Sequence, residues 1–164
     1  MWWSDRRGMI AGLLAAATLP ACGFAPVYGP GGAGNRLMGR IAVDAPETPV
    51  AYLFNRRFEE RMGGRGATSP YRLSVRIETD RQELGTTSVG NITRYRLIGR
   101  VFYTLRDQTG TVLTEGRTNA FTGYSTTGST VATLASERDA RDRLMTLLAD
   151  QVIDQLILSA PDFP

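Results

Sequence analysis

The one cysteine of this chain sits in Leu19-Pro20-Ala21-Cys22, directly after a short apolar run. A thiol in that setting suits one sequence of reactions. It takes a diacylglycerol, the chain is cut just before it, and the new amino terminus is acylated. The residues upstream come in the order a secretory signal needs. Arg6 and Arg7 form a cationic start, and Met9 to Leu19 an apolar stretch of 11 residues. That length falls short of the roughly 20 residues with which a helix crosses a bilayer. Residues 1–21 are therefore expected to be a lipoprotein signal peptide, with Cys22 the first residue of the mature chain. A twin-arginine signal fits less well, because Asp5 separates Ser4 from the arginine pair and no lysine follows. The competing reading, a buried thiol on a core helix, leaves the cationic start unexplained. Stable anchoring takes two membrane signals, and a triacylated cysteine brings three chains.

Composition narrows the remaining chemistry. Cleavage would leave 143 residues, enough for one domain with its own core. There is no histidine and no second cysteine. A structural disulfide is excluded, histidine acid–base catalysis is excluded, and thiolate or imidazole metal sites are nearly so. Every cation is an arginine, and the net charge is a mild +3. Guanidinium groups suit bidentate contact with phosphate and carboxylate, whatever the reason for the bias. Glu59-Glu60 are adjacent on a helix and face different ways, so they make a poor catalytic pair. Gly63-Gly64-Arg65-Gly66 is too short and unanchored for a phosphate loop. Arginine-rich strands bearing aromatics suggest an RNA-binding sheet, but export across a membrane argues against that.

The elements that would position these groups follow from local signals. Residues 22–38, rich in Gly and Pro through Gly34, read as a lipidated spacer. Arg40 to Asp44 is a short strand. Thr48 can cap a helix with Pro49 in its first turn, and Gly63-Gly64 ends it, giving residues 49–62. Tyr71, Leu73, Val75 and Ile77 alternate with Arg72, Ser74, Arg76 and Glu78, the pattern of a half-buried antiparallel strand. Gly85 to Gly90 is a polar turn. Ile92 to Arg106 is a long strand with Arg94, Arg96 and Arg100 on one face and Leu97, Val101 and Leu105 on the other. Asp107-Gln108-Thr109-Gly110 turns the chain into a return strand, Thr111 to Thr126. Ser129 or Thr130 can cap a final helix over 131–159, with Leu134, Ala140, Leu144, Leu147, Leu148, Val152 and Leu156 as its apolar face. The expected fold is α+β: two amphipathic helices packed on one face of a four-stranded, largely antiparallel sheet, forming a single domain over 39–160.

Cys22-Gly23-Phe24-Ala25-Pro26-Val27-Tyr28-Gly29 resembles the Cys-Gly-Phe-x-Pro-[Leu/Val]-Tyr start of the LptE family of lipopolysaccharide-assembly lipoproteins. The Asn91 to Arg96 strand and the helix from Ala135 through Val152 are similar in character. The resemblance implies two helices on a four-stranded sheet, a non-enzymatic role and no cofactor. It implies a plug inside the large LptD outer-membrane barrel that helps the barrel assemble, and it leaves open direct contact with lipopolysaccharide. Gly23, where an aspartate would favour retention at the inner membrane, points to the outer membrane. The domain would then face the periplasm.

Two sets of residues could carry such a role besides the lipid-bearing Cys22. Arg72, Arg76, Arg94, Arg96 and Arg100 would share one basic sheet surface if their strands pair. That surface could meet acidic groups of a barrel or lipid phosphates, or simply be solvated, with Glu78 and Asp80 balancing it. The Gly85 to Gly90 loop is the other candidate, and a plain hairpin connection is the reading favoured for it. The alternative function is a periplasm-facing lipoprotein that binds another envelope protein or a small ligand.

Overall fold

A computed structural model describes residues 26–64, 69–86, 92–126, 129–160 and 163. Its elements run α1 (Ala33–Leu37), β1 (Ile41–Val43), α2 (Pro49–Met62), β2 (Tyr71–Thr86), β3 (Ile92–Asp107), β4 (Val112–Ser125) and α3 (Thr130–Ser159). The strands form one sheet in the order β1-β2-β3-β4. β1 pairs in parallel with β2, Ile41 opposite Tyr71, and the other two pairings are antiparallel. This is the α+β architecture expected, with one more short helix.

Local chemistry sets the element ends. The Thr48 hydroxyl accepts the Ala51 N–H at 3.2 Å, and Pro49 occupies the first turn of α2, where its missing donor costs nothing. Phe54, Phe58 and Met62 recur every four residues and are buried. Gly63, at φ 84°, stops the helix in a conformation that a side chain disfavours. At the β3–β4 turn the Asp107 carboxylate accepts the Thr109 and Thr111 N–H groups at 2.8 and 2.9 Å. Ser129 stands at the cap position of α3, but its side chain makes no capping bond.

The core lies between the sheet and one face of α3. Ala140, Leu144, Met145, Leu148, Ala149, Val152, Ile153, Leu156 and Ile157 are buried against Leu73, Leu97, Val101, Tyr103 and Leu105. Leu134 and Leu147, placed on the apolar face by their spacing, are exposed. Leu134 precedes the first buried turn of the helix, and Leu147 points away from the Leu144–Leu148 ridge. Small residues on β4 let α3 lie close. Thr118 bonds the Gln151 side chain, and Thr122 Oγ1 donates to the Ala140 carbonyl at 2.9 Å.

Ion pairs join the two long helices. Arg57 grips Asp150 with two bonds of 3.0 and 3.1 Å, Arg61 reaches Asp154 at 2.8 Å, and Arg56 reaches Asp142 at 2.6 Å. Residue numbers rise together across these contacts, so α2 and α3 run parallel. Residues 26–38, in the stretch read as a spacer, include α1 and bury Leu37. Among the described residues, no helix is long and apolar enough to cross a membrane.

Candidate docking face

The helices cover one side of the sheet only. On the other side, alternation in three long strands sets out rows of outward side chains. From one end to the other these are Arg72–Arg106, Ser74–Thr104–Glu115, Arg76–Phe102–Arg117, Glu78–Arg100–Asn119, Asp80–Ile98–Phe121, Gln82–Arg96–Gly123 and Arg94–Ser125. Among the described residues no helix packs here, and Phe121 is 65% exposed.

The geometry brings Arg72, Arg76, Arg94, Arg96 and Arg100 onto this one face, but as an interleaved surface. Arg76 pairs with Glu78, and Arg100 reaches the same carboxylate at 3.7 Å. Arg72 lies 3.9 Å from Asp44. Arg76 also stacks over Phe102, 4.2 Å from the ring centre, and Arg96 over Phe121 at 5.1 Å. Such stacking holds a guanidinium flat while its N–H edge stays open to an acceptor. On this face β2 carries two arginines and two acids, β4 one of each, and β3 four arginines and no acid. Among the described residues Arg94, Arg106 and Arg117 have no carboxylate within 4 Å.

Sequence reasoning left Arg106 out of this set and missed Arg117. It stands across from Phe102 and lines a shallow depression of about 360 Å³ with Arg100, Phe102 and Asn119. The signal was present: Glu115, Arg117, Asn119 and Phe121 alternate with small residues. Only the register with β3 shows which face they share.

A second cluster lies on the helix-covered side of the sheet, at the far end from the β3–β4 turn. Tyr95 and Tyr124 stack with centres 5.2 Å apart, and the Arg81 guanidinium sits 5.0 Å from the Tyr95 ring. Its pKa is raised, first by a bond to the Tyr124 hydroxyl. Glu137 and Arg141 of α3 close a cleft of about 150 Å³ beside it. Among the described residues, no group of three or more acids or cysteines is arranged to hold a metal. Cys22 and residues 87–90 of the polar loop lie outside the described residues.

A mixed four-stranded sheet covered by helices on one side and presenting stacked arginines and aromatics on the other makes this an α+β domain. The family is specific: a model described as LptE, lipopolysaccharide-assembly, matches residues 38–156, and the chain belongs to that family. The fold is also that of a Caulobacter crescentus CB15 protein, at TM-score 0.67 and 21% identity over 78% of this chain and 96% of that one. Rare lipoprotein B from Shewanella oneidensis is similar at TM-score 0.53 and 14% identity, over 74% of this chain and 93% of its own. A minor lipoprotein from Acinetobacter baumannii gives 0.53 and 18% over the same shares. No curated protein sequence matches the chain.

Proposed function

We propose that this chain is an outer-membrane lipoprotein, acylated on Cys22 and facing the periplasm. In this reading it acts as plug and assembly partner of an LptD-type barrel during delivery of lipopolysaccharide to the cell surface. Membership of the lipopolysaccharide-assembly family supports the setting. The observation that carries the docking role is the uncovered sheet face. Phe121 is exposed, and Ile98 and Phe102 are half-buried, beside a row of arginines, which suits this face to a partner that offers both apolar and acidic groups. Guanidinium forks held flat by aromatic rings suit the carboxylates of a barrel wall or the phosphates of a lipid. Neither chemistry needs a cofactor or a reaction.

The test is affinity purification in detergent from cells making the full chain, with parallel capture of lipopolysaccharide. The parent should bring down a large outer-membrane barrel in stoichiometric amount. Replacing Arg72, Arg76, Arg94, Arg96 and Arg100 together with Gln should deplete the barrel, the lipopolysaccharide or both, with the circular dichroism spectrum unchanged. Undiminished capture of both would refute the role of this face. A free chain with no barrel would refute the plug reading itself.

A further inference from the structure

Residues 26–40, which lead into the sheet, are fastened to the domain. The Tyr28 hydroxyl accepts a bond from Arg61 at 3.3 Å, and Arg61 is itself held by Asp150 and Asp154. The Tyr28 ring lies so close to Gly34 that a Cβ there would stand 2.8 Å from it. Gly34 N–H bonds the Val27 carbonyl at 3.0 Å, and Gly39 N–H bonds the carbonyl of Met62 at 2.6 Å. Leu37 is 2% exposed.

Lengths decide what this does. Were the chain free from Cys22 to Ile41, its 19 residues could reach about 65 Å. That exceeds the ~53 Å length of the 16-residue strand β2, so either end of the domain could face the bilayer. With Pro26 fastened, four residues remain, spanning at most about 14 Å. The end carrying the fastened segment must then stay beside the membrane, and the far end can reach it only if the domain lies flat.

That end is chemically suited to a lipid surface. Val27, Tyr28 and Met38 are between 43% and 45% exposed. Arg36 and Arg40 are exposed beside them, and Arg40 stacks on Tyr71, 5.2 Å from its ring centre. Asp154, an exposed acid, is joined to this group through Arg61. Amphipathic side chains with arginines among them suit the headgroup layer, where phosphates meet the first methylenes.

We propose that Pro26–Met38 is an orienting strap. It seats the Val27–Met38 end of the domain on the headgroups of the leaflet that holds the anchor and points the β2–β3 turn away from it. The proposal rests on Cys22 being the attachment point, as in the function proposed above. The experiment supplies that attachment chemically, so natural acylation, checked separately by mass spectrometry, can fail without deciding the geometry.

The chain from Cys22 onward contains no tryptophan, since both lie at positions 2 and 3. Met38→Trp and Leu84→Trp variants are therefore clean reporters for the two ends of β2. Each is coupled through the Cys22 thiol to a maleimide lipid in phosphatidylethanolamine–phosphatidylglycerol vesicles carrying a headgroup nitroxide quencher. Tryptophan at 38 should be quenched several-fold more than tryptophan at 84. Inserting a Gly-Ser linker of about twelve residues before Pro26, or combining Tyr28→Ala with that linker, should shrink the difference. Equal quenching at both positions in the parent would overturn the proposal. So would a difference that neither change reduces.

Discussion

Gly99 gives the sharpest test of how α3 is seated. Its φ is not in the left-handed region, so the backbone accepts any residue. On strand propensity alone, Gly99→Ala should stabilise the protein by roughly 0.5–1 kcal/mol, since glycine loses more freedom on folding. The packing reverses the sign. A Cβ at Gly99 would stand 2.6 Å from Leu148 Cδ1 and 3.2 Å from Leu144 Cδ2, and both leucines are fully buried. Overpacking a filled core costs about 1–3 kcal/mol, so the net expectation is a loss of about 0.5–2 kcal/mol. Removing the obstacle should reveal the cause. Leu148→Ala alone should cost about 2–5 kcal/mol. Adding Gly99→Ala to it should then be neutral or helpful, a coupling of at least about 0.5 kcal/mol. Urea titration followed by far-ultraviolet circular dichroism, on the chain from residue 23, measures all four proteins. The midpoint should move while the slope stays the same. If Gly99→Ala is as stable as the parent, or the two losses simply add, the reasoning is wrong.

Other sites yield further expectations. Asp150→Asn should weaken the helix pair by about 1 kcal/mol, reduced for its partial exposure, and the loss should shrink in high salt; thermal melts at two salt concentrations check this. The Asp107 carboxyl is held below the usual aspartate range, first by the Thr109 hydroxyl and further by backbone N–H groups of the turn. A depressed carboxyl stabilises the fold above its unfolded pKa and loses that contribution as pH falls through the folded value. Asp107→Asn should therefore be less stable than the parent at pH 7, and the gap should close in acid below about pH 4; paired urea midpoints across that range decide it. Thr48→Ala should cost about 1 kcal/mol through the lost cap, and amide exchange should quicken in the first turn of α2 ahead of the rest.

Much of the architecture was legible because its causes are local. Thr48, Pro49 and Gly63 mark the ends of α2 by hydrogen bonding and backbone freedom, with no help from distant residues. The same holds for the Asp107–Gly110 turn. Alternation from Tyr71 and from Ile92 identifies the two long strands, since a half-buried sheet imposes period two wherever it lies.

What the tertiary structure decided was which local patterns meet. Arg117 joins Arg100 and Phe102 only through the β3–β4 register, and a single-residue slip would turn it to the other face. The parallel β1–β2 pair and the parallel helices joined by Arg57–Asp150 involve partners far apart in the chain. Leu134 has the periodicity of a core residue, yet nothing covers its turn of the helix. The glycine-rich stretch after Cys22 has the composition of a free spacer. From Pro26 onward it is fastened, because Gly34 is small enough to admit the Tyr28 ring and Arg61 is at hand to bond it. Periodicity and composition report what a segment can do alone. Which face stays bare, and how much of a glycine-rich segment is held, depend on contacts between segments.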